Sequence, residues 1–259
     1  MPLPRKEILA DGIELHLGDF REWMPYGIDD FHHLISDPPY EQRSQDAFGS
    51  IRRSDGVIMP DRLEFRGIDG LRDDLLIRAK IRCSGWLLAF CTTEGVAIWR
   101  DAIEAQGLRY KTPCIWSKPD AAPKFNGQGP SHGHECIATA WCGTGYSQWN
   151  GGGRRGHFTH NCNWHGRTPA HAGGHPTAKP LSLMMELVAL FSNHGEIVCD
   201  PFMGTGTTGE ACVRLGRKFI GIEQDEKWFT YACRRIENAL KQGDLFLEVP
   251  KPIQTKLEL

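Results

Sequence analysis

The chain has 259 residues, 40% of them hydrophobic, and 30 Lys and Arg set against 32 Asp and Glu, which suits one large domain with a substantial core. A formal charge of −2 excludes a uniformly basic coat for nucleic acid, and no apolar run is long enough to span a bilayer. With no N-terminal signal pattern and nine scattered cysteines, the expectation is a cytoplasmic protein with reduced thiols and no membrane partner.

The alternating residues 13–17 read as a strand. Asp19 follows, either as the N-cap of a helix from Phe20 onward or as an acid facing a ligand. Residues 31–36 form a short buried strand, and Asp37-Pro38-Pro39-Tyr40 ends it, because two prolines forbid both helix and ladder pairing. A long irregular connection over 41–67 carries Arg43, Arg52, Arg53, Arg62 and Arg66; connections of this length are usually functional lids or disordered. An amphipathic helix over 71–83, a strand over 86–91 and a helix over 94–105 closed by Gly107 come next. Strands near 110–116 and 136–141 follow, then a helix over 181–192, a strand over 196–200, a glycine loop, a helix to 215, a strand over 218–223 and a last helix over 226–241. Strands alternating with helices indicate an α/β domain, 1–259, with a mainly parallel sheet covered on both faces.

Two of these junctions carry chemistry. At the first, the Asp37 carboxylate and the Pro38 carbonyl are two acceptors, and Tyr40 offers a flat ring. An exocyclic amine on a base is a poor nucleophile because its lone pair is delocalised into the ring. If the two acceptors each take one N–H, the nitrogen is drawn toward tetrahedral geometry and its lone pair becomes available. Stacking on Tyr40 would add about 1–3 kcal/mol and hold the ring still. Taken alone, these four residues serve equally well as a strand-ending turn with a surface tyrosine.

At the second junction, Asp200-Pro201-Phe202-Met203-Gly204-Thr205-Gly206-Thr207 links a strand to a helix. Gly204 and Gly206 let backbone approach a ligand, and the helix start offers free N–H groups. Glu223 stands at the tip of the next strand, about 20 residues beyond the loop, where a carboxylate grips ribose hydroxyls. A nicotinamide cofactor matches the glycine spacing only formally and leaves Asp37 to Tyr40 unexplained.

Together the motifs, with His175-Pro176-Thr177-Ala178-Lys179-Pro180 ahead of the glycine loop, resemble the beta class of S-adenosylmethionine-dependent DNA amino-methyltransferases. That class is circularly permuted, with the catalytic tetrapeptide near the N-terminus and the cofactor loop near the C-terminus. The likeness covers roughly residues 12 to 242. It implies a Rossmann-like methyltransferase fold with seven strands, one of them antiparallel near the edge, and S-adenosyl-L-methionine as cofactor. By the same resemblance, Asp37, Pro38, Pro39 and Tyr40 bind the target base and face the methyl donor. Asp200, Phe202, Gly204, Gly206 and Thr207 surround the methionine half, Glu223 holds the ribose and Asp19 lies near the adenine. His175, Thr177 and Lys179 belong to the segment closing over the methionine end, where the Lys179 ammonium could meet its carboxylate.

The partner expected is double-stranded DNA. Between Glu135 and Glu186 there is no acid, whereas Arg154, Arg155, Arg167, Lys179 and five histidines occur with Trp141, Trp149, Phe158 and Trp164. Residues 144–174 read as the recognition segment, cationic with stacking faces, or as a plain glycine-rich loop. The 41–67 connection is expected to order around a flipped nucleotide, with Arg52 and Arg53 against phosphate. His157, His160, Cys162 and His165 are spaced more tightly than usual structural zinc ligands, and no metal is expected; a zinc-dependent nucleic-acid-binding module without catalysis is the rival class. Cys114 imitates a ring-attacking nucleophile but lies in an apolar strand and reads as structural. The expected reaction is methylation of adenine N6, with cytosine N4 as the alternative and an RNA or protein amine behind both. A homodimer and a restriction endonuclease partner are open expectations.

Overall fold

The computed structural model describes residues 4–40, 68–123, 128–162 and 178–242. Its nine strands are β1 (Arg5–Ala10), β2 (Ile13–Leu17), β3 (His33–Ser36), β4 (Trp86–Cys91), β5 (Arg109–Ser117), β6 (His134–Trp141), β7 (His157–Thr159), β8 (Ile197–Asp200) and β9 (Lys218–Glu223). They form one sheet in the order β1-β2-β9-β8-β3-β4-β6-β5-β7. Among the described residues the sheet therefore has nine strands where seven were expected, and two run against the rest. β1 pairs antiparallel with β2, and β6 runs antiparallel to both β4 and β5. The extra edge strand β1 is the first arm of a hairpin whose Gly12 takes a φ of 71°, a conformation glycine adopts without cost.

The helices are α1 (Phe20–Tyr26), α2 (Arg72–Arg82), α3 (Gly95–Ala105), α4 (Leu181–Phe191), α5 (Thr207–Arg214) and α6 (Glu226–Gln242). Side chains alternate across each strand, so β4 sends Trp86, Leu88 and Phe90 to one core and Leu87, Ala89 and Cys91 to the other. The first core is closed by Leu187 of α4, Ala211 of α5 and Ile236 of α6. The second is closed by Met24 of α1, Leu76 of α2 and Trp99 of α3. Burial on both faces explains why β4 is a continuous apolar run.

This layering fixes where a ligand can sit. From β8 the chain passes through α5 to β9, and from β3 it passes through α2 to β4, so the two crossovers leave in opposite directions on opposite faces. Strands β3 and β8 are parallel neighbours, with His33 opposite Val198. Their carboxyl ends flank the crevice at which such sheets bind ligands. Among the described residues no helix is long and apolar enough to cross a membrane.

Candidate active site

The tetrapeptide after β3 and the glycine loop after β8 meet at this crevice. Ser36 Oγ, at the end of β3, donates to Asp200 Oδ1, at the end of β8, over 2.5 Å. Asp200 also accepts from Thr208 Oγ1 at 2.6 Å and from the Phe202 N–H at 3.1 Å. One carboxylate thus ties two strands, the start of α5 and the loop between them. Burial pushes its pKa up to about 6 against the pull of those three donors.

Next to it, Asp37 is placed differently. Lys179 Nζ donates to its Oδ2 at 2.5 Å, whereas Oδ1 is shielded from solvent and has no hydrogen-bond partner among the described residues. Burial raises the pKa of Asp37, although Lys179 opposes the shift. Lys179 is only 8% exposed and also donates to the Tyr40 hydroxyl at 3.3 Å. Its ammonium lies 4.9 Å from the centre of the Phe90 ring and 5.5 Å from that of Tyr40. Burial works against its charge, yet Asp37 and Glu135 outweigh this and raise its pKa. The ammonium expected to meet a cofactor carboxylate is engaged by Asp37 and Tyr40 in this structure.

Glu135 stands behind Lys179, with Oε2 3.4 Å from the ammonium, while its Oε1 accepts from Lys118. Burial alone would raise its pKa, but the two lysines and the Tyr40 hydroxyl hold it at about 2. The Tyr40 phenol is raised well above its ordinary range, first by burial and then by Glu135 and Asp37, so it stays neutral. Sequence reasoning missed Lys118 and Glu135 altogether, treating Glu135 only as the border of an acid-free stretch. The missing signal is topological. β6 is antiparallel, so its first residues arrive at the edge where the parallel strands end, and Glu135 sits opposite Trp116.

The glycine loop is fastened from several sides. The Met203 N–H donates to the Ile222 carbonyl at 3.0 Å, and the Gly204 N–H donates to Glu223 Oε2 at 2.9 Å. Gly206 has a φ of 76°, and a Cβ there would come within 2.9 Å of Ala232 on α6, so this glycine serves packing. Gly204, with a φ of 51°, has no atom of the described residues beyond its chain neighbours within 4 Å of where a Cβ would stand, and the loop is open to them at that point. Arg235 donates to Thr207 Oγ1 at 2.8 Å and fixes the first residue of α5. Phe202 packs against Phe20 with ring centres 5.1 Å apart. Glu223 also accepts from the Asp225 N–H, and burial pushes its pKa up to about 7. Asp19 caps α1, accepting from the Arg21 N–H at 2.8 Å and from the Arg21 guanidinium.

Of the recognition segment, Arg154 pairs with Glu186 on α4, and His160 Nε2 lies 2.6 Å from the same carboxylate. Arg155 is exposed. His157 turns to Ser117, at 2.7 Å, and among the described residues no cluster has the makings of a metal site. Arg52, Arg53, Arg167, His165, His175 and Thr177, with the 41–67 connection, lie outside the described residues. Cys114 is buried and its thiol is pushed up to about 11 by burial, as suits an unreactive sulfur.

A crevice where two crossovers part, with a half-satisfied carboxylate on one lip and a glycine loop on the other, defines a ligand site at the strand ends of an α/β sheet. The family model for N6/N4 methyltransferases, described as DNA methylase, matches residues 31–234, and the chain belongs to that family. Among curated relatives, the type II methyltransferase M2.DpnII of Streptococcus pneumoniae is 28% identical over 79% of this chain and 81% of its own. The type II methyltransferase M.HinfI of Haemophilus influenzae is 26% identical over 87% of this chain and 70% of its own. Among solved structures, the SAM complex of M1.HpyAVI superposes with a TM-score of 0.63 at 22% identity, over 86% of this chain and 98% of that one; this likeness concerns the fold.

Proposed function

We propose that the protein transfers a methyl group from S-adenosyl-L-methionine to the N6 amino group of adenine in double-stranded DNA. The observation that carries this reading is Oδ1 of Asp37, which has no hydrogen-bond partner among the described residues and stands on the lip next to Asp200. A shielded acceptor without a donor costs about 1–3 kcal/mol, and an amine N–H arriving with the substrate answers that demand. Lys179 holds the other oxygen, so the carboxylate cannot rotate away, and the Pro38 carbonyl is the acceptor for the second N–H. Tyr40, anchored through its hydroxyl, offers its ring to the base. The open side of Gly204 and the carboxylate of Glu223 suit a nucleoside-bearing cofactor. When bound, S-adenosyl-L-methionine supplies an electrophilic methyl carbon.

The head of the tetrapeptide, Asp37, is the ground for adenine over cytosine N4 within the resemblance. Residues 144–174 are the proposed recognition segment. The type II methyltransferase relatives support a restriction endonuclease partner, the beta-class resemblance a second subunit, and the absence of a membrane-crossing helix among the described residues fits a cytoplasmic setting. The test is incubation with defined duplex DNA and labelled cofactor, followed by nucleoside mass analysis. N6-methyladenine is expected; N4-methylcytosine would move the assignment to the alternative, and an unmodified duplex would overturn the reading.

A further inference from the structure

Behind Asp37 the structure stacks four buried or half-buried charges of alternating sign: Lys118, Glu135, Lys179 and Asp37. The contacts are continuous, from Lys118 to Glu135 Oε1, from Glu135 Oε2 to Lys179 at 3.4 Å, and from Lys179 to Asp37 Oδ2 at 2.5 Å. Lys118 is 14% exposed and Glu135 17%. Closure of the fold does not demand such an arrangement, since buried ion pairs can often be replaced by apolar side chains without loss of stability. Among the described residues Oδ1 of Asp37 is shielded without a hydrogen bond, and Glu135 Oε2 meets Lys179 only as an ion-pair contact at 3.4 Å, so the charges lead from Lys118 to an open acceptor on Asp37.

We propose that Glu135 and Lys118 are positioning residues which, acting through Lys179, set the acceptor strength of Asp37. This rests on the reading of Asp37 as the acceptor for the target amine. Without Glu135, the Lys179 ammonium has Asp37 as its sole carboxylate partner among these four, and it draws electron density away from Oδ1. With Glu135 in place, the ammonium is shared and Oδ1 keeps more of its charge. Lys118 tempers Glu135 in turn. The groups facing Asp37 are Lys179 from the segment before α4, Glu135 from β6, Lys118 from the end of β5, Tyr40 from its own loop and Asp200 from β8. Because signs alternate along the chain, removing neighbouring members has opposite consequences at Asp37, which a purely structural role would not produce.

The test uses the full chain with Glu135→Gln and Lys118→Met, and follows the Asp37 carboxyl by carbon-13 NMR together with kcat and KM across pH. Glu135→Gln is expected to lower the titration of Asp37, and with it the acid limb of kcat, by about one unit; Lys118→Met is expected to raise both. Turnover of Glu135→Gln should fall by about tenfold at neutral pH, with KM for DNA and cofactor nearly unchanged. Glu135→Asp, which keeps the charge but draws it back, should fall between wild type and Glu135→Gln. Shifts of the same sign in the two main variants, or no shift, overturn the proposal. Wild-type transfer with an unmoved Asp37 titration would sink this inference alone. Failure of the wild type to methylate DNA would instead sink the reading of Asp37 as an amine acceptor, and the NMR shifts would still be measurable.

Discussion

Asp37 and Asp200 stand at the ends of neighbouring parallel strands, yet their oxygens meet opposite fates. Asp200 is filled by Ser36, Thr208 and the Phe202 N–H. Asp37 has Lys179 on one oxygen and, among the described residues, no donor on the other. The three donors on Asp200 tie its carboxylate to β3, to α5 and to the loop between them, so its first task is to fasten the framework. A carboxylate with one oxygen fixed and the other unmet is poised for a substrate donor. The contrast also separates two residues that the family resemblance would place around the same cofactor and base.

The largest expected effect tests that contrast directly. Asp37→Ala should lower single-turnover methyl transfer by about 100-fold or more, as removal of a preorganised polar group at a reacting centre does, in a variant that still folds because Glu135 remains to pair the Lys179 ammonium. Asp200→Asn should do the reverse, losing about 1–3 kcal/mol of stability because its amide cannot accept from all three donors. The stability difference has a pH signature. The folded pKa of Asp200, about 6, lies above the ordinary 3.8, so the folded state binds the extra proton and this group's contribution falls as pH rises from about 4 to about 6. Wild type should therefore lose stability relative to Asp200→Asn across that window, by up to about 3 kcal/mol, and the difference should stay level above it. Equal losses of turnover in the two folded variants would erase the distinction.

Tyr40 sharpens the comparison at intermediate size. Its ring is the stacking surface, worth about 1–3 kcal/mol per base, so Tyr40→Ala should cut kcat/KM for DNA by roughly 10- to 100-fold. Its hydroxyl accepts from Lys179, so Tyr40→Phe should not be silent, but the loss should stay within about tenfold. A larger loss for Phe than for Ala would assign the residue to the charge chain and not to the base. Glu223 comes next. Its pKa is pushed up to about 7 by burial, so below that pH it takes up a proton and loses its strength as an acceptor for ribose hydroxyls. Cofactor affinity measured by calorimetry should weaken as pH falls from 8 to 5, approaching tenfold per unit at the acid end, and Glu223→Gln should flatten the dependence.

Much of this frame was legible in the sequence, for identifiable reasons. Strands β2, β4 and β9 begin and end where alternation or a continuous apolar run begins and ends. The tetrapeptide and the glycine loop announce themselves because their chemistry is local. β1 escaped although Asp11-Gly12, a strong hairpin signal, joins it to β2. β7 has three residues, too few for any periodicity. The partners of Lys179 were illegible for another reason. Lys179 and Asp37 are 142 residues apart, and Glu135 reaches them only because β6 is reversed, a fact held in the pairing of strands and not in any residue pattern. Asp19 allowed two readings, and the N–H of Arg21 shows that it caps a helix.

The smallest effect lies at the proposed DNA surface, where satisfied and open groups again stand side by side. The guanidinium of Arg154 is held by Glu186, which also holds His160, whereas Arg155 is exposed. A cation already paired with a carboxylate releases fewer counterions when it meets phosphate. Arg155→Ala should therefore lower the slope of log affinity against log salt by about one, and Arg154→Ala by less. Glu186→Ala should free Arg154 and steepen the slope. If Arg154→Ala flattens the slope as much as Arg155→Ala, the ion pair with Glu186 opens on the duplex, and internal pairing does not mark a residue as unavailable there. If neither variant changes the slope, residues 154 and 155 lie off the duplex, and the recognition role proposed for this part of the chain falls.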